Sequence, residues 1–200
     1  MSISFVDKRK KDKALPEFFL PYIREWFYSR FKELTPPQQF ALRLIHQKKN
    51  ALITAPTGSG KTLAAFLTII NELFKFAEKN KLEDKIYCIY VSPLKALNND
   101  VRKNLEIPLA EIKEIYKKKF GKELPEIRVA VRTGDVLPSE KAKQLKKPPH
   151  ILITTPESLA IMLNAPKFRN LLSTVKWVII DEIHELASSK RGVQIGRAHV

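Results

Sequence analysis

Cys88 is the only cysteine among 200 residues. That excludes a disulfide framework and a thiolate metal centre. Four histidines without paired spacing leave no zinc site to propose. Long hydrophobic runs are also missing: the longest mostly apolar stretch, 63–70, falls far short of the ~18 residues of a membrane span. The basic residues 8–11 are not followed by an apolar stretch and a small-residue cleavage site, so no secretory signal is present. These absences predict a cytoplasmic protein with no membrane partner. Acidic residues are few, 21 against 36 Lys and Arg, for a net charge of +15. The excess sits in 1–50 and 101–150. Such a field favours polyanion partners, nucleic acid above all, although a lysine-rich surface kept for solubility or heat tolerance carries the same charge. What remains, 44% hydrophobic and 28% charged, is ordinary for a soluble globular chain of one domain or slightly more, which needs no covalent staples.

Residues 1–13 read as a basic, flexible tail, and 14–48 as N-terminal helices. Pro16 to Glu33 carries an aromatic face of Phe18, Phe19, Tyr22, Trp26, Phe27 and Phe31. Thr35-Pro36-Pro37 reads as the cap and first turn of a second helix. From residue 49 the pattern becomes strand–helix alternation. Strands are predicted at 51–55, 86–92, 127–132, 150–154 and 175–181. The clearest helix places Leu63, Phe66, Leu67, Ile70, Leu73, Phe74 and Ala77 on one face. This alternation predicts an α/β fold, a mostly parallel sheet flanked by helices, with ligands at the carboxyl ends of the strands.

Those ends carry the chemistry. The first predicted strand runs into Thr57-Gly58-Ser59-Gly60-Lys61-Thr62, followed by the amphipathic helix. A triphosphate needs backbone N–H groups aimed inward, which glycine permits, and a helix N-terminus whose dipole favours anions. It also needs a cation for the β- and γ-phosphates, Lys61, and a hydroxyl for Mg²⁺, Thr62. The generic phosphate-loop pattern begins with glycine where this chain has Ala55. The last predicted strand, read as central in the sheet, ends in Asp181-Glu182. Asp181 is assigned to Mg²⁺ and Glu182 to the attacking water. The plainer alternative is an acidic pair stabilised by a helix dipole.

Together, Ala55 to Thr62 (APTGSGKT) and Asp181 to His184 (DEIH) resemble the superfamily 2 helicases, in which alanine is common at the position of Ala55. Other stretches match in order. Thr35-Pro36-Pro37-Gln38 resembles the Q motif, which implies that Gln38 reads the adenine edge of ATP. Tyr90 to Leu97 (YVSPLKAL), Arg132-Thr133-Gly134-Asp135 and Thr154 to Leu159 (TTPESL) resemble motifs that line the groove for one nucleic-acid strand. The resemblance therefore implies nucleic-acid contacts at Ser92, Pro93, Lys95, Arg132, Thr133, Gly134, Thr155, Pro156 and Glu157, and a coupling role for His184. With Ser189-Lys190-Arg191-Gly192 included, the match is similar to the Lhr (large helicase-related) group. It implies a P-loop, RecA-like domain over 49–194 that binds ATP and Mg²⁺. The partner implied is single-stranded or 3′-tailed duplex DNA, with RNA as an alternative. By themselves Lys95 could be a solvated lysine, His184 a structural histidine, and Trp26, Phe27 and Phe31 packing residues rather than an adenine border.

Motors of this superfamily close ATP between two RecA-like lobes, and this chain carries the motifs of the first. It is read as a fragment, inactive in hydrolysis by itself, whose second lobe lies elsewhere in the same polypeptide. Residues 195–200 (IGRAHV) break the apolar helix expected there and are read as translated sequencing adapter. The competing functions are the motor of a translocase that does not unwind and a non-hydrolysing nucleic-acid-binding module.

Overall fold

The computed structural model describes residues 4–5, 11–56 and 58–187, leaving aside the side chains of residues 95–97 and 186–187. Thr57, most of the basic tail, Ser189 to Gly192 and the 195–200 tail lie outside the described residues. The elements run α1 (Pro21–Arg30), α2 (Pro36–His46), α3 (Lys61–Glu78), β1 (Cys88–Val91), α4 (Lys95–Phe120), β2 (Val129–Arg132), α5 (Pro138–Lys146), β3 (Ile151–Thr154), α6 (Pro156–Asn164), α7 (Pro166–Leu172), β4 (Trp177–Ile180) and α8 (Ile183–Ala187). The chain divides into two compact units, Met1–Leu82 with Glu111–Pro125, and Glu83–Ala110 with Glu126–Val200.

The first unit is helical. Proline in the first turn starts both α1 and α2, where its missing N–H costs nothing. The expected face of α3 is buried at Phe66, Leu67, Ile70, Leu73, Phe74 and Ala77, with Leu63 half-buried. The aromatic face of α1 packs rather than lining a ligand. Tyr22, Trp26 and Phe27 are 0–2% exposed. Tyr22 meets Phe74 and Tyr116 edge-on, and the Trp26 indole donates to Glu111 at 2.8 Å. Phe31, 38% exposed, leans edge-on against Trp26.

The second unit holds a four-stranded, all-parallel sheet in the order β2-β3-β1-β4. The expected fold class, a parallel sheet flanked by helices, is borne out. Ile86, Ile89, Val91 and Leu152 form its core with Leu159 and Met162 of α6 and Phe168 of α7. Cys88 is fully buried, and burial pushes its thiol pKa up, so it stays an inert thiol.

Two expectations are corrected. Residues 51–55 carry no strand, and Leu52 is 75% exposed. A strand exists only through the ladder of a neighbour, and these residues belong to a unit with no other strand among the described residues. The run 175–181 does form β4, but at the edge of the sheet rather than its centre. Among the described residues it pairs only with β1, and Val178 and Ile180 are 55% and 36% exposed.

The residue before β3, His150, is 1% exposed. Its Nδ1 accepts the Arg128 N–H at 3.0 Å, while its buried Nε2 has no hydrogen-bond partner. Burial, reinforced by the Arg128 charge and opposed by Asp84, pulls its pKa from the ordinary 6.5 down to about 4. Between those values the unfolded chain binds a proton that the folded one refuses, so stability falls as pH falls through that window. The urea midpoint of His150→Asn should therefore drop less between pH 7 and 4.5 than that of the unsubstituted chain; equal drops would refute this assignment.

Candidate functional site

The phosphate loop is built at the start of α3. Gly58 and Gly60 take left-handed backbone angles, φ +76° and +84°, which an L side chain resists. Gly60 is the N-cap of α3, and its carbonyl accepts the Ala64 N–H at 2.9 Å. The Lys61 ammonium donates to the Ala55 carbonyl and, at 3.0 Å, to that of Pro56, so the loop curls around its own cation. Thr62 follows, exposed in the first turn of the helix.

The same unit brings the expected adenine reader to this loop. Gln38 is 2% exposed. Its Oε1 accepts the Thr35 N–H at 3.0 Å, which fixes the amide's orientation. A Cβ on Gly60 would lie 3.1 Å from Gln38 Nε2 and 3.0 Å from Thr35 Oγ1. Glycine at position 60 is thus required twice, by its φ and by this close approach. The buried hydroxyls of Thr35 and Ser59 have no hydrogen-bond partner.

In the second unit the strands end in one row. Register pairs Arg132 with Thr154, Thr154 with Val91, and Val91 with Ile180. The next residue of each strand is therefore Thr133, Thr155, Ser92 and Asp181, all of them expected site residues. Adjacent strands lie ~4.8 Å apart, so this row spans roughly 14 Å. Ser92 N–H donates to Thr154 O at 3.0 Å, and Asp181 N–H to Val91 O at 2.9 Å, which carries the ladder one step into the site.

Along this row many polar groups are already used. Ser92, Thr133 and Thr155 are 0%, 7% and 1% exposed. Ser92 Oγ accepts the Leu94 N–H at 3.4 Å. Thr155 caps α6 as expected, its Oγ1 accepting the Ser158 N–H at 3.3 Å. Pro93 and Pro156 are buried, Glu157 is half-buried and Gly134 is exposed. Arg132 faces inward: its guanidinium lies 4.4 Å from the Phe168 ring centroid and donates to Lys141 O at 3.1 Å and Gln144 Oε1 at 3.2 Å. Its first role is to brace α5 behind the 133–135 loop. Lys95 opens α4, and its side chain is outside the described residues.

Asp181 is held at both oxygens. Oδ1 accepts the Glu182 N–H at 3.0 Å, and Oδ2 accepts the Tyr90 hydroxyl. Glu182 is left-handed at φ +49°, a strain on the order of 1 kcal/mol that buys the sharp turn from β4 into α8. Its carboxylate lies 3.4 Å from the Nδ1 of His184, which is 70% exposed at its side chain. Tyr90 opens the motif-like stretch 90–97 but carries no site role in the sequence reading; the available signal was a phenol in an otherwise apolar strand.

The donors fit the groups expected here. A left-handed glycine loop with an ammonium and orphan hydroxyls suits polyphosphate. Thr62 in the first unit and Asp181 in the second each offer a hard oxygen of the kind Mg²⁺ takes. Among the described residues no three metal-ligating side chains converge, which is compatible with Mg²⁺, since it is usually held by one or two carboxylates plus substrate phosphates. The loop and Gln38 belong to the first unit, and the acidic pair with the strand-end row to the second.

Comparison with known proteins places this geometry in a family. The model of the DEAD/DEAH box helicases matches residues 35–199. The chain is 58% identical over 193 residues to ATP-dependent helicase Lhr-Core protein 2 of Thermococcus barophilus, covering 96% of this chain and 22% of that protein. It is 56% identical over 193 residues to ATP-dependent helicase Lhr-Core of Methanocaldococcus jannaschii, covering 96% and 23%. Among solved structures, Mycobacterium smegmatis helicase Lhr bound to ssDNA and AMP-PNP superposes with a TM-score of 0.82 at 42% identity, covering 91% of this chain and 22% of that one. The chain thus spans about a fifth of the length of these relatives. A glycine loop set against a buried glutamine, an acidic pair ending a parallel strand and a family match over most of the residues lead to one conclusion: this chain belongs to the DEAD/DEAH box helicases, in the company of the Lhr helicases.

Proposed function

We propose that the chain is the first motor lobe of an Lhr-type helicase that couples ATP hydrolysis to movement along, and unwinding of, DNA. The observation that carries this reading is the strand-end row, which sets the residues of three nucleic-acid motifs beside an aspartate suited to Mg²⁺. It is supported by the relatives' names and by the Lhr structure solved with ssDNA and AMP-PNP.

The residues divide the work. The N–H groups of 57–60 and the Lys61 ammonium hold the phosphates, Lys61 turning from the Ala55 and Pro56 carbonyls to do so. Gln38, its Oε1 tied to Thr35, presents Nε2 to the adenine edge. Thr62 in the first unit and Asp181 in the second would each give Mg²⁺ an oxygen ligand, and the ion would supply positive charge to the triphosphate. Glu182 orients the attacking water and takes its proton, and His184 links this turn to the nucleic-acid side. One DNA strand follows the row past Lys95, Gly134 and the first turn of α6 at Thr155, Pro156 and Glu157. With Ser92, Thr133 and Arg132 buried or engaged, the grip falls largely on backbone N–H groups and lysines, which take phosphate without reading bases. On this reading 49–194 is the ATP-binding domain, 14–48 its helical extension, and the second lobe a further part of the same polypeptide.

Replacing Lys61 with alanine removes a charge-assisted contact of about 1.5–3 kcal/mol and should weaken ATP binding roughly 10- to 100-fold. The unsubstituted chain should bind ATP yet turn it over negligibly; appreciable turnover that Lys61→Ala abolishes would overturn the single-lobe reading. Gln38→Ala should erase the preference for ATP over GTP in a competition assay. Gly60→Ala should reproduce that loss by displacing Gln38, and unchanged preference in both variants removes Gln38 from the site. Binding of a single-stranded oligonucleotide should weaken with a log–log salt slope near −0.7 per phosphate neutralised; a flat salt response in a filter-binding assay contradicts a phosphate-led grip.

A further inference from the structure

Strand β1 reads Cys88-Ile89-Tyr90-Val91 and is buried throughout. Tyr90 is 1% exposed. Phenylalanine would fill the same space, and a buried phenol is costly unless its hydroxyl is bonded. The hydroxyl donates to Asp181 Oδ2. The register explains why it reaches. Tyr90 pairs with Ile179, so their side chains share a face of the sheet, and Asp181, two residues after Ile179, returns to that face.

The carboxylate is thereby clamped from two sides. Its Oδ1 takes the Glu182 N–H from the turn after β4, and its Oδ2 takes the phenol from β1. Two donors on separate elements fix rotation about the bond to the carboxyl group. A carboxylate has about four lone-pair sites, so one on each oxygen remains for a cation or its water.

We propose that Tyr90 is a positioning residue for Asp181: its hydroxyl sets the orientation of the carboxylate assigned to Mg²⁺, and through it that carboxylate's affinity for the metal. This rests on the assignment of Asp181 to Mg²⁺ given above. Hydrogen-bonding partners of a metal ligand typically contribute 10- to 100-fold in metal affinity or activity. Tyr90→Phe keeps the ring and deletes only the donor.

The experiment follows binding of a fluorescent ATP analogue to the 200-residue chain across a Mg²⁺ titration, with EDTA as the metal-free reference. Tyr90→Phe should raise the half-saturating Mg²⁺ concentration about tenfold and leave affinity in EDTA unchanged. Asp181→Asn should remove most of the Mg²⁺ response, and adding Tyr90→Phe to it should change nothing further. If Asp181→Asn loses the response while Tyr90→Phe keeps it, the role of Tyr90 is refuted and the metal assignment survives. If Asp181→Asn keeps the response, the metal assignment itself fails. Equal weakening by Tyr90→Phe with and without Mg²⁺ would mark Tyr90 as merely structural and overturn the proposal. Should Tyr90→Phe not fold, ζ-¹³C-tyrosine labelling of the unsubstituted chain supplies a second readout. The Tyr90 signal should move when Mg²⁺ is added to the ATP-bound chain, and an unmoved signal overturns the proposal.

Discussion

The parallel register of the four strands is the constraint from which the rest of the second unit follows. Because Arg132, Thr154, Val91 and Ile180 end in one row, every strand hands its next residue to the same edge. Parallel strands also require crossovers that begin at that edge, so the turns carrying Ser92, Thr133, Thr155 and Asp181 are brought together by topology before any side chain contributes. A one-residue slip of β4 against β1 would turn Asp181 to the opposite face of the sheet and away from Tyr90. The aliphatic packing of Ile89, Val91 and Leu152 against α6 and α7 thus holds a carboxylate orientation as well as a core.

In the first unit, close approach plays the part that register plays in the second. Gly60 accepts a left-handed angle and brings the start of α3 against Thr35 and Gln38. The capping of α2 and the close approach of Gly60 then meet in one side chain: Gln38 Oε1 accepts the Thr35 N–H, and its Nε2 would lie 3.1 Å from a Cβ at position 60. Gln38, three residues after the Thr35 cap, thus serves the start of α2 and, on the proposed reading, the adenine as well.

Most of this was legible in the sequence where local rules dominate. Four of the five expected strands form, β1 and β3 with their β-branched residues buried, and polar turns follow each. Thr155 caps α6, Pro36 opens α2, and α3 buries the face its spacing predicted. What could not be read depends on pairing and on partners. Residues 51–55 have a strand's composition, but a strand needs a neighbour. Trp177 to Ile180 are apolar enough for a central strand, yet Val178 and Ile180 sit exposed on an edge. Arg132 looked like a phosphate ligand because arginine suits phosphate; nothing local shows that Phe168, 36 positions on, offers it a ring. Tyr90 and Asp181 lie 91 positions apart, and only register reveals that they share a face.

The burial of Ser92, Thr133 and Thr155 bears on what kind of grip such a sheet edge can exert. Side chains spent on turns cannot also reach for bases, and a cap that satisfies one helix N–H leaves others pointing outward. On the proposed reading the edge meets a nucleic-acid strand mainly through main-chain donors and lysines. Such contacts depend on phosphate spacing and not on sequence. A motor must release and re-form the same contacts at every step, so a grip without base preference suits it better than a tight, specific one. The residues that look most like ligands, Arg132 above all, then serve best by holding the loops that bear those donors still.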